Sequence, residues 1–267
     1  MDITTLLLAG AAAGTAAGLL GIGGGTIIVP VLVLVFVAEG VHPDILIKVA
    51  IGTSLATIVV TAISSIWMHH RKGAVRWPLV KVMTPGVIIG SLLGAALADI
   101  IPAMWLSIAF IIFVCGVSVQ MAIGTVQGKH GLPSVWGLRA VSMVVGVISA
   151  LMGIGGGALH VPYFSWCGVP VKHSIATAAA IGLPLAVASS AGFIIAGMNE
   201  ANLPPHSLGY VNLPAFGGIV TASIIFAPLG AKLAHMLPDI VLKRFFAIFL
   251  FILAMRMTYD LFFSSPG

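Results

Sequence analysis

The sequence predicts an all-α polytopic membrane protein made of two inverted-topology repeats, each a glycine-broken helix hairpin, re-entrant or short, plus three transmembrane helices. Three observations carry that prediction: an apolar composition, a duplicated glycine motif and a one-sided distribution of cations. Of 267 residues, 60% are hydrophobic and 7% charged. That is too little polar surface to cover a water-exposed globule, so the solvent is largely lipid. Apolar stretches between the rare charges run about 12 to 25 residues, and roughly 20 are needed to cross a hydrocarbon core about 30 Å thick. Several spans are available, with a few pieces too short to cross. The first apolar run has no basic stretch before it and leads into the glycine motif, so it reads as a span and not as a cleavable signal. Cys115 and Cys167 lie inside apolar runs as small buried hydrophobes, with no metal-binding spacing around them.

The duplication is visible in three blocks. Gly14-x-x-Ala17-Gly18-Leu19-Leu20-Gly21-Ile22-Gly23-Gly24-Gly25-x-x-x-Val29-Pro30 recurs as Gly146-x-x-Ser149-Ala150-Leu151-Met152-Gly153-Ile154-Gly155-Gly156-Gly157-x-x-x-Val161-Pro162, displaced by 132 positions. Lys48, Thr53 and Ser54 match Lys172, Thr177 and Ala178 at a displacement of 124. Gly94-Ala-x-Leu-Ala-x-x-x-Pro102 matches Gly230-Ala-x-Leu-Ala-x-x-x-Pro238 at 136. Three blocks in the same order indicate duplication. The first repeat is expected over 1–125, a cytoplasmic linker over 126–138 and the second repeat over 139–267, all within one integrated transmembrane domain.

Hydropathy places apolar pieces near 3–20, 26–38, 45–67, 79–98 and 103–123 in the first repeat, and near 139–153, 158–168, 174–197, 209–234 and 241–263 in the second. The second piece of each repeat is too short to cross comfortably. A net charge of +5 would suggest nucleic acid in a soluble chain, but here the cations sit in short loops beside spans and act as topology signals, with no nucleic-acid partner. The cluster Arg71, Lys72, Arg76 and Lys81 assigns the loop after residue 67 to the cytoplasm. Alternation from there brings Lys129, Arg139, Lys232, Lys243 and Arg244 inside and puts the loop of Glu200 outside. For this to hold, the broken pair 139–168 must return to its own side before 174–197 crosses, and the pair 3–38 must start and end outside. Both termini are then external. Eight plain spans would push Lys232, Lys243 and Arg244 outward, against the same rule.

Glycines at 21, 23, 24 and 25, and again at 153, 155, 156 and 157, break a helix between two apolar segments. Unwound backbone survives in a bilayer only where protein buries it or where it lines a cavity. Helices resuming at Thr26 and Ala158 would aim N-terminal amides and positive dipole ends at the gap, a site suited to a small anion. Close helix packing accounts for Gly14 with Gly18, or Gly90 with Gly94, but less well for three consecutive glycines at a fixed distance from Val-Pro.

The candidate binding residues are therefore Gly21, Gly23, Gly24, Gly25, Thr26, Gly153, Gly155, Gly156 and Gly157, joined by Thr53, Ser54, Thr177, His160 and Arg256. The three hydroxyls either offer themselves to the anion or bond back to their own helix. His160 is either a carrier of a coupled proton or a hydrogen-bonded wall residue. Arg256, deep in the last apolar run, either pairs with Asp260 or faces the pathway. Lys48 and Lys172 either snorkel to the interface or attract substrate. Trp67, Trp77, Trp105, Trp136 and Trp166 fall at span ends, as an interfacial belt requires.

The doubled Gly-Ile-Gly-Gly-Gly-x-x-x-Val-Pro, the Lys48 to Leu55 stretch and the closing Gly-Ala-x-Leu-Ala blocks resemble the sulfite exporter TauE/SafE family of bacterial membrane permeases. The resemblance covers nearly the whole chain. It implies a transporter in the bacterial inner membrane for sulfite, sulfonates or related organosulfur or organic anions, with the motifs near the substrate. The second repeat departs from the pattern, with Ala178 in place of the serine and Leu159-His160 in the spacer, so the two half-sites are expected to be non-equivalent. The partners expected are the small anion and the lipid bilayer. Proton or ion coupling and a homodimer are compatible with this reading, and neither a cofactor nor a metal is expected. A passive anion channel and an accessory subunit without transport of its own share the same features. An intramembrane enzyme fits poorly, because Asp2, Asp44, Asp99, Asp239 and Asp260 all fall at or near span ends.

Overall fold

A computed structural model describes residues 10–11, 14–15, 25–123, 128, 130–236, 248, 250–252 and 254–259. Its elements are α1 (Gly25–Ala38), α2 (Pro43–Arg71), α3 (Trp77–Ile100), α4 (Ala103–Ile123), α5 (Val135–Met152), α6 (Gly157–Trp166) and α7 (Val171–Ala196). A 3-10 turn (Gly197–Asn199), a two-stranded hairpin of β1 (Ser207–Leu208) and β2 (Val211–Asn212), and α8 (Leu213–Met236) follow. Among the described residues, five helices are long and apolar enough to cross a membrane: Pro43–Arg71, Trp77–Ile100, Ala103–Gln120, Val135–Met152 and Val171–Asn199. The apolar pieces expected near 45–67, 79–98, 103–123, 139–153 and 174–197 agree with these helices to within a few residues, and those near 3–20 and 241–263 lie largely outside the described residues. The hairpin has no hydropathy signal and was not expected.

The helix starts follow local chemistry. Pro43 opens α2, where its missing N–H costs nothing, and the His42 ring accepts from Asp44 N at 3.4 Å. Ser134 caps α5 by accepting from Gly137 N at 3.3 Å.

Contacts along the helices fix their directions. Gly86, Gly90 and Gly94 of α3 face the carbonyls of Arg139, Met143 and Val147 of α5 in the same order, so α3 and α5 run parallel in backbone-to-backbone contact. Only glycine permits that approach at Gly90, where a Cβ would fall on the Met143 carbonyl. On α2 and α7 the order reverses: Gly52 lies against Phe193, while Ile58 packs with Ala186. Those two helices are antiparallel. Lys48 Nζ donates to Asp99 O at 2.6 Å, which brings the start of α2 to the end of α3. His173 Nδ1 donates to Ala74 O at 2.8 Å, which brings the start of α7 to the start of α3.

The bundle thus has a Lys48 end and an Arg71 end. α6 returns to the Arg71 end, where Ser165 O accepts from Gly128 N at 3.0 Å, while α1 leads to the Lys48 end through the turn at Glu39–Gly40. Arg71, Lys72, Arg76, Lys81, Arg139 and Lys172 gather at one end, and Glu39, Asp44, Asp99 and Glu200 at the other. Large apolar side chains such as Ile89, Leu93, Leu97, Ile112, Val144 and Ile148 face outward, as a lipid solvent allows. All five tryptophans are exposed near helix ends.

One local structure occurs twice. After α2, Gly73 adopts φ 61° and Ala74 N donates to His69 O at 3.2 Å. Arg76 N then donates to Thr177 Oγ1 of α7 at 3.1 Å. Before α8, Gly209 adopts φ 54°, Tyr210 N donates to Phe193 O at 3.2 Å, and Asn212 N donates to Thr53 Oγ1 of α2 at 3.0 Å. Each corner hangs its third residue after the glycine on a threonine of the other half of the chain.

Candidate functional site

The second glycine motif is a tight reversal between two helices. α5 ends on Gly153, whose left-handed φ of 66° lets Ile154 N return to Ser149 O at 3.0 Å. α6 begins after Gly156, also left-handed at φ 73°, and Gly156 O accepts from His160 N at 2.8 Å. By helix geometry the first N–H groups of α6, at Gly157 and Ala158, point out of its N-terminus without a carbonyl of their own helix.

This reversal is packed at mid-length of α2 and α7. A Cβ on Gly182 of α7 would stand 2.6 Å from Gly155 O, and one on Gly155 would stand 3.0 Å from Ile58 Cγ2. The first motif reaches the same place, since a Cβ on Gly25 would be 2.9 Å from Gly153 O, Ile154 Cα and Ile58 Cδ1. Ser54 Oγ closes the junction by donating to Gly153 O at 2.9 Å. Beside it lies a cleft of about 40 Å³, lined by Ile58, Thr61, Ala62 and Ser65 of α2, by Gly155, Gly157 and Val161, and by Ile175, Ala179 and Gly182 of α7.

The structure therefore brings together Gly25, Ser54, Gly153 and Gly155, with Thr26 buried in the first turn of α1 and Gly157 on the cleft wall. Gly21, Gly23 and Gly24 lie outside the described residues. Thr53 and Thr177 are fully buried and accept the backbone N–H groups of Asn212 and Arg76, so their hydroxyls join distant segments. His160 is fully buried, stacked near Phe164, with Nδ1 3.1 Å from Gly156 O. A carbonyl only accepts, so that contact requires the proton on Nδ1 and leaves Nε2 a lone pair, which has no partner among the described residues. Arg256 is exposed, its guanidinium 5.8 Å from the centre of the Tyr259 ring, and Asp260 lies outside the described residues.

Two features escaped the sequence reading. Thr61 and Ser65 line the cleft, continuing the spacing of four that starts at Thr53 and Thr57, which puts a hydroxyl stripe on one face of α2. Lys48 is neither snorkelling nor solvent-facing. It is folded inward, 8% exposed, with Nζ on Asp99 O and 5.7 Å from the centre of the Tyr210 ring. Tyr210 OH donates to Asp99 Oδ1 at 2.8 Å, and burial first, then Asp99 and Glu200, pushes its phenol above the ordinary range, so it stays a donor.

These apolar helices define a multi-pass α-helical membrane protein. The family model described as "Sulfite exporter TauE/SafE" matches residues 6–257. The chain belongs to that family. A "Probable membrane transporter protein" of Haemophilus influenzae is 34% identical over 96% of this chain and 97% of its own length. YunE of Bacillus subtilis is 29% identical over 74% of this chain and 80% of its own length, and MJ0441 of Methanocaldococcus jannaschii 27% over 85% of each. Both are also described as probable membrane transporter proteins. No solved structure matches the chain.

Proposed function

We propose that the chain is a secondary transporter of a small anion, of the sulfite, sulfonate or related organosulfur class, working by alternating access around the junction of its two glycine motifs. The observation that carries this reading is the meeting of Gly25 with Gly153, Ile154 and Ile58 at mid-length of α2, where α6 also starts. Two helix N-termini directed at one point supply N–H donors to an oxyanion, and glycine lets the backbones that carry them approach one another closely. The family description favours sulfite among such anions.

The directions of the helices support an inverted pair of units. α1 and α6 leave the junction toward opposite ends, and α2 and α7 cross antiparallel beside it. The collection of six cations at the Arg71 end supports placing that end in the cytoplasm of a bacterial cell, with both termini at the other side. An enzyme is not part of this reading.

Flux in proteoliposomes tests it. Labelled sulfite or taurine should enter saturably, and the rate should respond to an imposed proton gradient. Linear, gradient-insensitive conduction would reassign the protein to a passive channel, and no flux of any sulfur oxyanion or carboxylate would overturn transport by the chain alone. Gly155→Val, which narrows the cleft toward Ile58, should lower flux about tenfold or more while the protein stays folded.

A further inference from the structure

We propose that Lys48, Asp99 and Tyr210 form a latch that closes the Lys48 end of the pathway, a set of three residues that the matching positions of the other half do not repeat. The proposal rests on the alternating-access reading.

Three separate pieces of chain meet in this cluster: the start of α2, the end of α3 and the turn of the hairpin before α8. Lys48 Nζ holds Asp99 O at 2.6 Å, and Tyr210 OH holds Asp99 Oδ1 at 2.8 Å. The ammonium also stands 5.7 Å from the Tyr210 ring centre, within cation–π reach. Lys48 is 8% and Tyr210 2% exposed, so both are largely withdrawn from water and meet on Asp99, which is half-buried. Glu200, on the loop leading to the hairpin, also faces the phenol.

The cleft lies to the other side of the junction. Its α2 wall runs from Ile58 to Ser65, toward Arg71, and its α7 wall from Gly182 back to Ile175, toward the same end. The described cleft thus lies on the Arg71 side of the junction, and the buried cluster on the Lys48 side. Opening the Lys48 end would require the hairpin to part from α2 and α3, and that movement breaks the Tyr210–Asp99 bond.

The duplication shows the asymmetry. At the displacements of 124 and 136, the positions matching Lys48, Asp99 and Tyr210 are Lys172, His235 and Ala74. Neither the carboxylate nor the phenol is repeated, and Lys172 is exposed. A bond made in one state and absent from the other biases the equilibrium toward the state that has it. The latch therefore sets the resting protein open to the Arg71 end.

The test follows accessibility from each side and needs no substrate. In a Cys115→Ser, Cys167→Ser background, Ile58→Cys places a reporter on the cleft. A membrane-impermeant maleimide should label it faster in vesicles that expose the Arg71 end than in those that expose the Lys48 end. Asp99→Ala and Tyr210→Phe should each raise labelling from the Lys48 end about tenfold, and the double variant no further, because both remove one bond. Lys172→Met should change neither rate. Unchanged labelling in both Asp99→Ala and the near-isosteric Tyr210→Phe, with thermal unfolding as in the parent, would overturn the latch. Flux with unchanged labelling removes the latch and leaves the transporter, whereas raised labelling with no flux in the parent removes the transporter and leaves the latch.

Discussion

The corner between α2 and α3 and the corner before α8 share a backbone and differ in what surrounds it. Both turn on a left-handed glycine, Gly73 or Gly209, and both hang an N–H on a threonine of the opposite half. Around Gly73 there is open space for 4 Å beyond a built Cβ, whereas Gly209 lies directly on the backbone of Ile194. The first corner is a solvent-side loop among cations. The second is the turn of the hairpin, with Tyr210 and Asn212 buried. One backbone solution thus serves as a simple reversal at one end of the bundle and as a packed plug at the other.

The largest expected difference is at the glycines. Gly73→Ala should cost only the strain of a left-handed alanine, about 1 kcal/mol. Gly209→Ala adds a collision with the Ile194 carbonyl, which sits on helix backbone and cannot swing aside, so about 3 kcal/mol or more is expected. Thermal unfolding in detergent measures both. Equal losses would mean that the Gly209 packing is soft, and the contrast between plug and loop would fall.

The threonines come next. Thr53→Val leaves the N–H of Asn212 buried and unpaired, at a cost of about 1–3 kcal/mol, and Thr53→Ser should restore most of it. Thr177→Val should cost less, because the N–H of Arg76 is only partly buried and water can replace the hydroxyl. Amide exchange at residues 212 and 76 should follow the same order. A Thr177→Val loss as large as that of Thr53→Val would show that the Arg71 end is as closed to water as the other.

What the sequence made legible depended on whether the deciding physics was local. Spans follow from side-chain transfer energies, so α2, α3, α4, α5 and α7 lie where hydropathy puts them. The break at Gly153–Gly157 was also local, since no other residue takes the left-handed turns at Gly153 and Gly156 as readily. The corners were missed although their signal was present: Gly73-x-Val75-x-x-Pro78 matches Gly209-x-Val211-x-x-Pro214 at the same displacement of 136 as the third block. The second half carries twelve more residues between the displacements of 124 and 136, and that insertion hides the match from an eye following one register. Lys48 could not be read at all from its own segment. A lysine near a helix start looks interfacial until Asp99 and Tyr210, both distant in sequence, are seen to cover it. The same applies to Thr53 and Thr177, whose partners lie 159 and 101 residues away.

The smallest difference between the corners is the cap that follows each. Asn212 Oδ1 accepts from Ala215 N at 3.0 Å and its amide reaches Pro205 O and Ser207 Oγ, so one side chain starts α8 and ties the hairpin to it. Arg76 holds the matching place before α3 and makes no side-chain cap, and Leu79 N is met instead by Arg76 O at 3.0 Å. Asn212→Ala should therefore cost about 1 kcal/mol. Arg76→Asn should gain at most about 0.5 kcal/mol, because the backbone already meets one of the donors that a cap would take. A gain from Arg76→Asn equal to the loss from Asn212→Ala would mean that the caps are interchangeable. The plug at the Lys48 end would then owe nothing to Asn212 beyond helix initiation, and its rigidity would rest on Gly209, Thr53 and Tyr210 alone.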